Sequence, residues 1–251
     1  MKFSLSSLLL SAVLLAVPAF PAAAFELLPI SREFAPAGRN ATQSYEVVND
    51  GDEPLAVELS MLRRQTDING TETYSSGDDD FLIYPTQILL EPGKTQSIRV
   101  TWLGDPQPTT ELSYRLLAEQ LPINLDQADE NQTRPVGGVR VLLRYLGSVY
   151  IRPANPAANV VLETIEPQPD ASQPPGFAIT LNNQGNARAV LRNFHLHLVL
   201  PTGESVSLQP EQLTNINNSV ILAGHLRRFI IPYPNGFSVS PTTAMFEFDS
   251  E

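Results

Sequence analysis

Apolar and polar residues alternate along many short stretches of this chain, and this period of two constrains the fold more than any other feature. The clearest rows are Leu55, Val57, Leu59 and Met61, and then Ile98, Val100 and Trp102. Successive side chains of a β-strand point to opposite faces, so each row predicts a strand with one apolar face. The turns between rows are rich in proline and glycine, and Asn69-Gly70 is a strong hairpin signal. Because no long helical period interrupts the rows, the sequence predicts an all-β fold.

The predicted strands fall into two sets, and we therefore expect two β-sandwich domains. The first set occupies residues 25–153 and ends with the run VGGVRVLLRYLGSVYIRP. A Pro-rich stretch follows, and the second set of alternating rows comes after it. We expect an N-terminal domain at 25–153, with its last strand at 139–152, and a smaller C-terminal domain at 154–251.

Residues 1–24 have the pattern of a secretory signal peptide. Lys2 supplies the positive start, an apolar core follows, and three alanines (22–24) offer a small-residue cleavage site. The alternative is an uncleaved membrane anchor, but the apolar core is too short to cross a bilayer comfortably. No later stretch has the length and apolarity of a transmembrane helix. We therefore expect an exported protein that is not inserted in a membrane.

The overall charge and the absence of cysteine exclude several classes of function. The formal net charge is −11, whereas nucleic-acid affinity comes from lysine and arginine on phosphates. The same charge argues against docking on anionic lipid. With no cysteine in the chain, disulfides, zinc–thiolate sites and thiol catalysis are all excluded. We expect no nucleic-acid partner.

Candidate catalytic and metal-binding residues are few. His195 and His197 stand two apart on a predicted strand and could share a metal, but no local motif supplies a third ligand. The acidic turns at 78–80 and 50–52 lack the spacing of a calcium loop, so solvated turns are the better interpretation. Phosphate-binding loops, dinucleotide fingerprints and nucleophile elbows are missing from the sequence. We expect no catalytic residues, no metal and no cofactor, and hence not an enzyme.

The row Val139, Val141 and Leu143 has two uses that periodicity leaves open. The row can fill the core of its own domain, which periodicity alone favours. It can also face outward and complete the sheet of another protein, with main-chain hydrogen bonds giving affinity and alternating side chains giving specificity.

Several segments, in this order, resemble the PapD-like periplasmic chaperones of the chaperone–usher pilus pathway. They are SREFAPAGRNATQSYEVVND, YPTQILLEPGKTQSIRV, ELSYRLLAEQLP, the run ending in YIRP and, more weakly, FAITLNNQGNARA. The resemblance implies two immunoglobulin-like domains in an L or boomerang. It also implies a periplasmic chaperone that lends a strand to pilus subunits, keeps them folded and unpolymerised, and delivers them to an outer-membrane usher. It leaves open whether the free protein caps its own strand as a dimer.

The resemblance also assigns roles to individual residues. Val139, Val141, Leu143 and, as a fourth, Tyr145 would enter the groove of the subunit. Two further groups are implied. Arg32 would anchor the C-terminal carboxylate of the subunit, and Glu111 and Arg152 would belong to a buried charge cluster that fixes the angle between the domains.

The sequence departs from the family pattern at two places. The second basic anchor of the family, a lysine, is replaced by Ser148, and Arg144 is expected on the wrong face to substitute for it. The acidic residue that the family places in the second domain has no clear match, Asn235 being the nearest candidate. The rival interpretation is a secreted or surface adhesin or structural protein with two immunoglobulin-like domains, and an enzyme on a sandwich is a third.

Overall fold

The computed structural model describes residues 25–122, 141–168, 175–233 and 240–249, and they form two β-sandwiches. This confirms the all-β prediction. The strands of the first sandwich are β1 (Phe25–Leu28), β2 (Ser31–Phe34), β3 (Thr42–Asn49), β4 (Leu55–Thr66), β5 (Glu72–Ser76), β6 (Phe81–Tyr84), β7 (Gln87–Leu90), β8 (Thr95–Trp102), β9 (Leu112–Gln120) and β10 (Arg144–Ile151). Those of the second are β11 (Val160–Pro167), β12 (Gly176–Asn183), β13 (Ala189–Val190), β14 (Arg192–Val199), β15 (Ser205–Leu208), β16 (Val220–Ile221), β17 (Leu226–Pro232) and β18 (Thr243–Asp249). Short 3-10 turns lie at Arg39–Ala41, Asp78–Asp80 and Pro210–Gln212.

Two sheets face each other in the first sandwich. One sheet has the order β1-β3-β8-β6, and the other has the order β2-β10-β9-β4-β5, with β7 also paired to β4. The run at 81–90 contributes one strand to each sheet, because Pro85 interrupts it and proline has no amide hydrogen to donate. The alternating apolar rows meet between the sheets, where Phe81, Trp102 and Tyr114 pack edge to face.

The second sandwich has its own core. Its strands form the sheets β11-β12-β17, β13-β16 and β15-β14-β18. Apolar residues from β12, β14 and β17 meet in its interior, among them the fully buried Phe177, Phe194 and Leu196. Because each sandwich buries a separate cluster of large side chains, each has the hydrophobic core that a domain needs.

The N-terminal segment crosses from one sheet to the other, and among the described residues no strand covers the outer edge of β10 along its first half. Strand β1 pairs with β3, whereas β2 pairs in parallel with β10 from Ser148 to Ile151. Strand β9 covers the other edge of β10 along its whole length. At Arg144–Gly147 the outer edge of β10 therefore has no strand beside it among the described residues.

The hairpin predicted at Asn69-Gly70 is confirmed, and its tip touches the second sandwich. It joins β4 to β5, and Gly70 adopts a φ of 82° that favours glycine. The Arg228 amide donates to the Ile68 carbonyl at 2.7 Å. The Arg227 guanidinium lies so close to Gly70 that a Cβ there would overlap it. The two sandwiches thus meet at this tip.

The acidic turn at 78–80 is held by donors from its own domain. One Asp78 oxygen accepts from the Met61 amide at 2.7 Å, and one Asp80 oxygen accepts from Arg63 at 2.5 Å and from the Tyr114 hydroxyl at 2.7 Å. Burial would raise the pKa of Asp80, but the hydrogen bonds from Arg63 and Tyr114 outweigh it and hold the pKa below its ordinary value of 3.8. Asp80 therefore ties the turn to the aromatic core through Tyr114.

Replacing Asp80 by asparagine is expected to destabilise the protein by about 1–2 kcal/mol at neutral pH, because two charge-assisted hydrogen bonds weaken. A carboxylate with a lowered pKa contributes stability above its ordinary pKa and loses it as the pH falls through the folded value. The difference between wild type and variant should therefore shrink below about pH 4. Urea unfolding of both proteins, at neutral pH and below about pH 4, measures this difference. Asp79→Asn, in the same turn, is the control. A difference that stays constant with pH would contradict this account.

Candidate functional site

Several of the expected site residues lie on or beside the uncovered edge of β10. Val139 is outside the described residues. Val141 is 70% exposed, the neighbouring Leu142 is 40% exposed, and both precede the strand, which starts at Arg144 rather than at 139. Leu143 and Tyr145 are half-buried and pack against the core of their own sandwich. The row thus has an exposed end at Val141 and an inner end committed to its own domain.

The two faces of β10 carry different chemistry. Val149 and Ile151 are fully buried and face the core, together with Tyr145, whose ring lies 4.9 Å from that of Phe25. Alternation places Ser148 and Tyr150 on the opposite, outward face. Within the uncovered segment, the same alternation places Tyr145 on the core side and Arg144 and Leu146 on the outward side.

Arg32 lies at the point where β2 begins to cover β10, opposite Val149. Alternation puts it on the same side as the buried Phe34. Its Nη2 donates to the Ser44 carbonyl at 3.1 Å, and its Nε is buried without a hydrogen-bond partner among the described residues. Burial raises the pKa of Tyr45, which the nearby Arg32 charge opposes, and the Tyr45 hydroxyl is likewise unpartnered. The expected anchor thus has unused donor capacity between the two sheets.

Ser148 has a cation beside it, which comes from the neighbouring strand. Arg115 on β9 lies opposite Ser148 in the antiparallel pair, and its Nη1 contacts the serine Oγ. Its other nitrogens hold Glu72, with Nε donating to one carboxylate oxygen at 3.0 Å and Nη2 to the other at 2.6 Å. Sequence reasoning did not identify Arg115, although it is the arginine of the quoted segment ELSYRLLAEQLP.

Arg64 on β4 completes what we call the Glu72 cluster, defined as Arg64, Glu72 and Arg115. Arg64 Nη2 lies 2.7 Å from Glu72, and its Nη1 donates to the Tyr150 hydroxyl at 3.2 Å. Burial would raise the pKa of Glu72, but hydrogen bonds from Arg115 and Tyr74 and the charge of Arg64 lower it. Two guanidinium groups share one carboxylate, so the cluster has a net charge of about +1.

Glu111 and Arg152 lie together where the two sandwiches meet, 3.5 Å apart. The principal partner of Glu111 is Arg188 from the second sandwich, whose Nη1 lies at 2.8 Å and whose backbone amide also donates to Glu111. Glu33 joins the network through Arg188 at 2.6 Å and Arg152 at 2.8 Å. We call these four residues the junction cluster.

The second-domain member of the junction cluster is therefore a cation, where the resemblance led us to look for an acid. Asn235, the nearest candidate by sequence, lies outside the described residues. Arg188 also stacks on the Tyr150 ring, 3.8 Å from its centroid. With two acids and two arginines, the cluster is balanced in charge. The only sequence signal for Arg188 was its place in the matching segment FAITLNNQGNARA.

Comparison with protein families identifies the first sandwich. Residues 34–156 match the model of the pili and flagellar-assembly chaperone, PapD N-terminal domain. The first sandwich therefore belongs to the PapD-like family. A comparison with curated proteins found no match.

Solved structures with the PapD-like architecture extend over nearly the whole chain. A structure of Salmonella enterica SafA pilin in complex with the SafB chaperone matches with a TM-score of 0.55 at 12% identity, covering 92% of this chain and 98% of that one. The class 5 fimbriae chaperone CfaA matches with a TM-score of 0.53 at 17% identity, covering 91% of this chain and 100% of that one. The CsuC–CsuE chaperone–tip adhesion subunit complex of Acinetobacter baumannii matches with a TM-score of 0.54 at 15% identity, covering 83% of this chain and 91% of that one. At these identities the likeness shows the shared fold, two immunoglobulin-like sandwiches.

This PapD-like chain differs from the sequence expectation chiefly in its charged groups. Arg32 and Ser148 lie on adjacent strands but face opposite sides of the sheet, since Ser148 is opposite Ser31 and not Arg32.

Within the part of the chain that the structure describes, no helix has the length and apolarity needed to cross a membrane.

Proposed function

We propose that this PapD-like protein is a periplasmic chaperone that binds pilus subunits by adding a strand to their incomplete sheets, and that it passes them to an outer-membrane usher. The observation that carries the proposal is the uncovered edge of β10 at Arg144–Gly147, next to the exposed Val141. An unpaired strand edge with apolar side chains is a template for pairing with another chain. The pattern at 1–24 supports export.

The way β2 covers β10 also supports a direction for the added strand. Strand β2 pairs with β10 from Ser148 onward, so a strand added along Arg144–Gly147 must end there. If it runs parallel to β10, its carboxyl end meets the start of β2. The cations nearest that point are Arg32 on the inner side and Arg115 on the outer side. Because a guanidinium binds a carboxylate strongly, this placement favours the parallel direction.

The apolar part of the site suits a transient partner. Val141 is largely exposed and available to a partner, whereas Leu143 and Tyr145 would have to exchange contacts with their own core for contacts with the subunit. Fully burying one aliphatic side chain contributes about 1.5–3 kcal/mol. The family is a family of chaperones, which is not an enzyme class, and binding with later release requires no chemical step.

A pull-down tests the proposal directly. The protein is tagged at its C-terminus and purified from the native periplasm, and co-purifying proteins are identified by mass spectrometry. We expect a small exported β-rich subunit in an equal amount, and its loss with Arg32→Ala but not with Arg39→Ala, an exposed arginine of the same sandwich. If the subunit stays with Arg32→Ala, the chaperone function stands and the anchor lies elsewhere. If nothing co-purifies although subunits are expressed, the adhesin interpretation replaces ours.

A further inference from the structure

The outward face of the β14–β18 pair, in the second sandwich, brings together two histidines and a methionine. His195 lies opposite Glu247, and His197 lies opposite Met245. Leu196, between the two histidines, is fully buried, so alternation turns both histidines, and their partners on β18, away from the core. We call His195, His197, Met245 and Glu247 the His–Met face. The strand pairing thus gives the histidine pair neighbours that no local motif predicted.

The methionine on this face is unusual in its exposure. The chain has three methionines. Met1 starts the pattern of a signal peptide, and Met61 is fully buried in the core of the first sandwich, whereas Met245 is 64% exposed. Methionine commonly fills gaps in a core, and burial does not account for Met245. Two of the three histidines of the chain share its face, and both thioether and imidazole groups are ligands of copper.

The ring of His197 is held in the way that a metal-binding histidine usually is. His197 stands between Met245 on β18 and Ser207 on β15. Its Nδ1 lies 2.8 Å from the Ser207 Oγ. In metal sites, a hydrogen bond from one ring nitrogen fixes the ring and its tautomer, and the other nitrogen binds the metal. A proton on Nδ1, donated to Ser207, leaves the lone pair of Nε2 free for a ligand.

The spacing of an antiparallel pair allows three side chains of this face to converge. Directly opposed residues have Cβ atoms about 4.5–5.5 Å apart, and diagonal neighbours lie about 7–8 Å apart. Imidazole and thioether side chains that lean toward a common ion span both distances. The register shift of β14 against β18 lies between Arg192 and His195, so the pairing is regular where the two histidines lie.

The available donors select the metal. Among the described residues, no three histidine, aspartate or glutamate side chains form a group that could hold a metal ion, so this face lacks the three nitrogen or oxygen ligands of a zinc site. The third donor beside the histidines is the Met245 sulfur. A soft thioether with two imidazoles suits Cu(I). These ligands are uncharged, and Glu247 adds a negative charge beside the cation.

We propose that His195, His197 and the Met245 thioether bind one Cu(I) ion, and that Ser207 is the positioning residue that holds the His197 ring. This site replaces the expectation of no metal that the sequence gave, because Met245 joins the histidines only through the pairing of β14 with β18. The site lies in the second sandwich and does not depend on strand addition by the first.

The test measures Cu(I) binding to the untagged protein purified from the periplasm, because a histidine tag would itself bind copper. Cu(I) is kept reduced with ascorbate under nitrogen and is titrated in competition with bicinchoninate. We expect one Cu(I) per chain. Removing an outer partner of a metal ligand costs about 10–100-fold in affinity, so losing a ligand in Met245→Leu or His195→Ala should cost about 100-fold or more. His225→Asn, the histidine outside this face, should bind as wild type does.

Ser207 supplies a readout that a purely structural role would not move. Ser207→Ala should weaken Cu(I) binding about ten-fold, because the His197 ring loses the partner that orients it. Ser207→Thr keeps the hydroxyl and should restore the affinity. Ser205→Ala, a serine of the same strand opposite Val199, is the control and should leave binding unchanged. X-ray absorption should show a sulfur ligand in wild type and in Ser207→Ala, but not in Met245→Leu.

Three outcomes would overturn the copper site. The first is wild type holding no more Cu(I) than the double variant His195→Ala/His197→Ala. The second is an unchanged affinity in Met245→Leu. The third is Zn²⁺ binding as tightly as Cu(I) and weakening in Glu247→Gln, which would mean a site for a divalent ion. Each of these leaves the pull-down of a subunit unaffected, so failure of the copper site is distinct from failure of the proposed chaperone function.

Discussion

Replacing Glu111 by alanine is expected to lower the free energy of unfolding by about 3–5 kcal/mol, the usual cost of removing one partner from a buried ion pair. The Glu111 side chain is 2% exposed and that of its partner Arg188 is 8% exposed. Burial raises the pKa of Glu111, and the charge of Arg188 opposes this effect. Without Glu111, the Arg188 guanidinium would lose its buried carboxylate partner, while it keeps its contacts with half-exposed Glu33 and with the Tyr150 ring.

The consequence of this substitution extends beyond one contact, because the junction cluster joins the two sandwiches. The backbone amide of Glu111 also donates to the Asn186 carbonyl of the second sandwich at 2.8 Å. We expect a lower melting temperature and a reduced yield from the periplasm. Urea unfolding followed by tryptophan fluorescence measures the first sandwich, since the chain has a single tryptophan, Trp102.

Glu33→Gln is the matched control for this prediction. Glu33 contacts the same two arginines, but its side chain is 47% exposed. Exposed ion pairs contribute about 0–1 kcal/mol, so this variant should unfold close to wild type. Equal stability of wild type and Glu111→Ala would remove the junction role of Glu111, and equal losses from both variants would show that burial does not decide the effect.

Replacing Val141 by aspartate is expected to weaken subunit binding by about 100-fold or more without lowering the melting temperature. The lost apolar burial alone corresponds to about 1.5–3 kcal/mol, and about 1.4 kcal/mol is a factor of ten. A carboxylate forced into an apolar groove adds a desolvation cost to this loss. Because Val141 is largely exposed in the free protein, the substitution removes nothing from its own core.

Leu142→Asp is the control, because Leu142 is the adjacent apolar residue, is 40% exposed and does not belong to the predicted row Val139, Val141 and Leu143. Titration of the co-purified subunit by calorimetry compares the two variants. Wild-type affinity for Val141→Asp would overturn the donor role of Val141. A change at Leu143 is less informative, since Leu143 already packs against its own core and its loss would affect folding and binding together.

Several features of the fold could be predicted because they depend on neighbouring residues. The rows around Val57 and Val100 are buried strands as the alternation indicated. The hairpin at Asn69-Gly70 forms because glycine there accepts a positive φ. The break of the run 81–90 at Pro85 could also have been foreseen, since a proline cannot continue a ladder in a central strand.

The charged groups of the site could be predicted only in part. Glu111, Arg152 and Arg32 were found through the family resemblance, and the departure at Ser148 was recognised from the sequence. The sequence did not reveal that Arg115 lies beside Ser148, because this contact depends on the register of β9 with β10. Arg188 was missed because an acid was expected in the second sandwich. Both acids of the junction cluster, Glu33 and Glu111, come from the first sandwich, and Arg188 pairs with both of them.

The sequence by itself determined that this chain folds into short β-strands, which rows of residues are buried in them, and where one hairpin turns. Each of these follows from the conformational preferences and the alternation of consecutive residues. Only the tertiary structure decided that β2 covers β10 from Ser148 onward, that Arg115 lies beside Ser148, and that Arg188 closes the junction cluster. These contacts join residues far apart in the chain, and their register is set by packing two sheets and two sandwiches together, which no local pattern encodes.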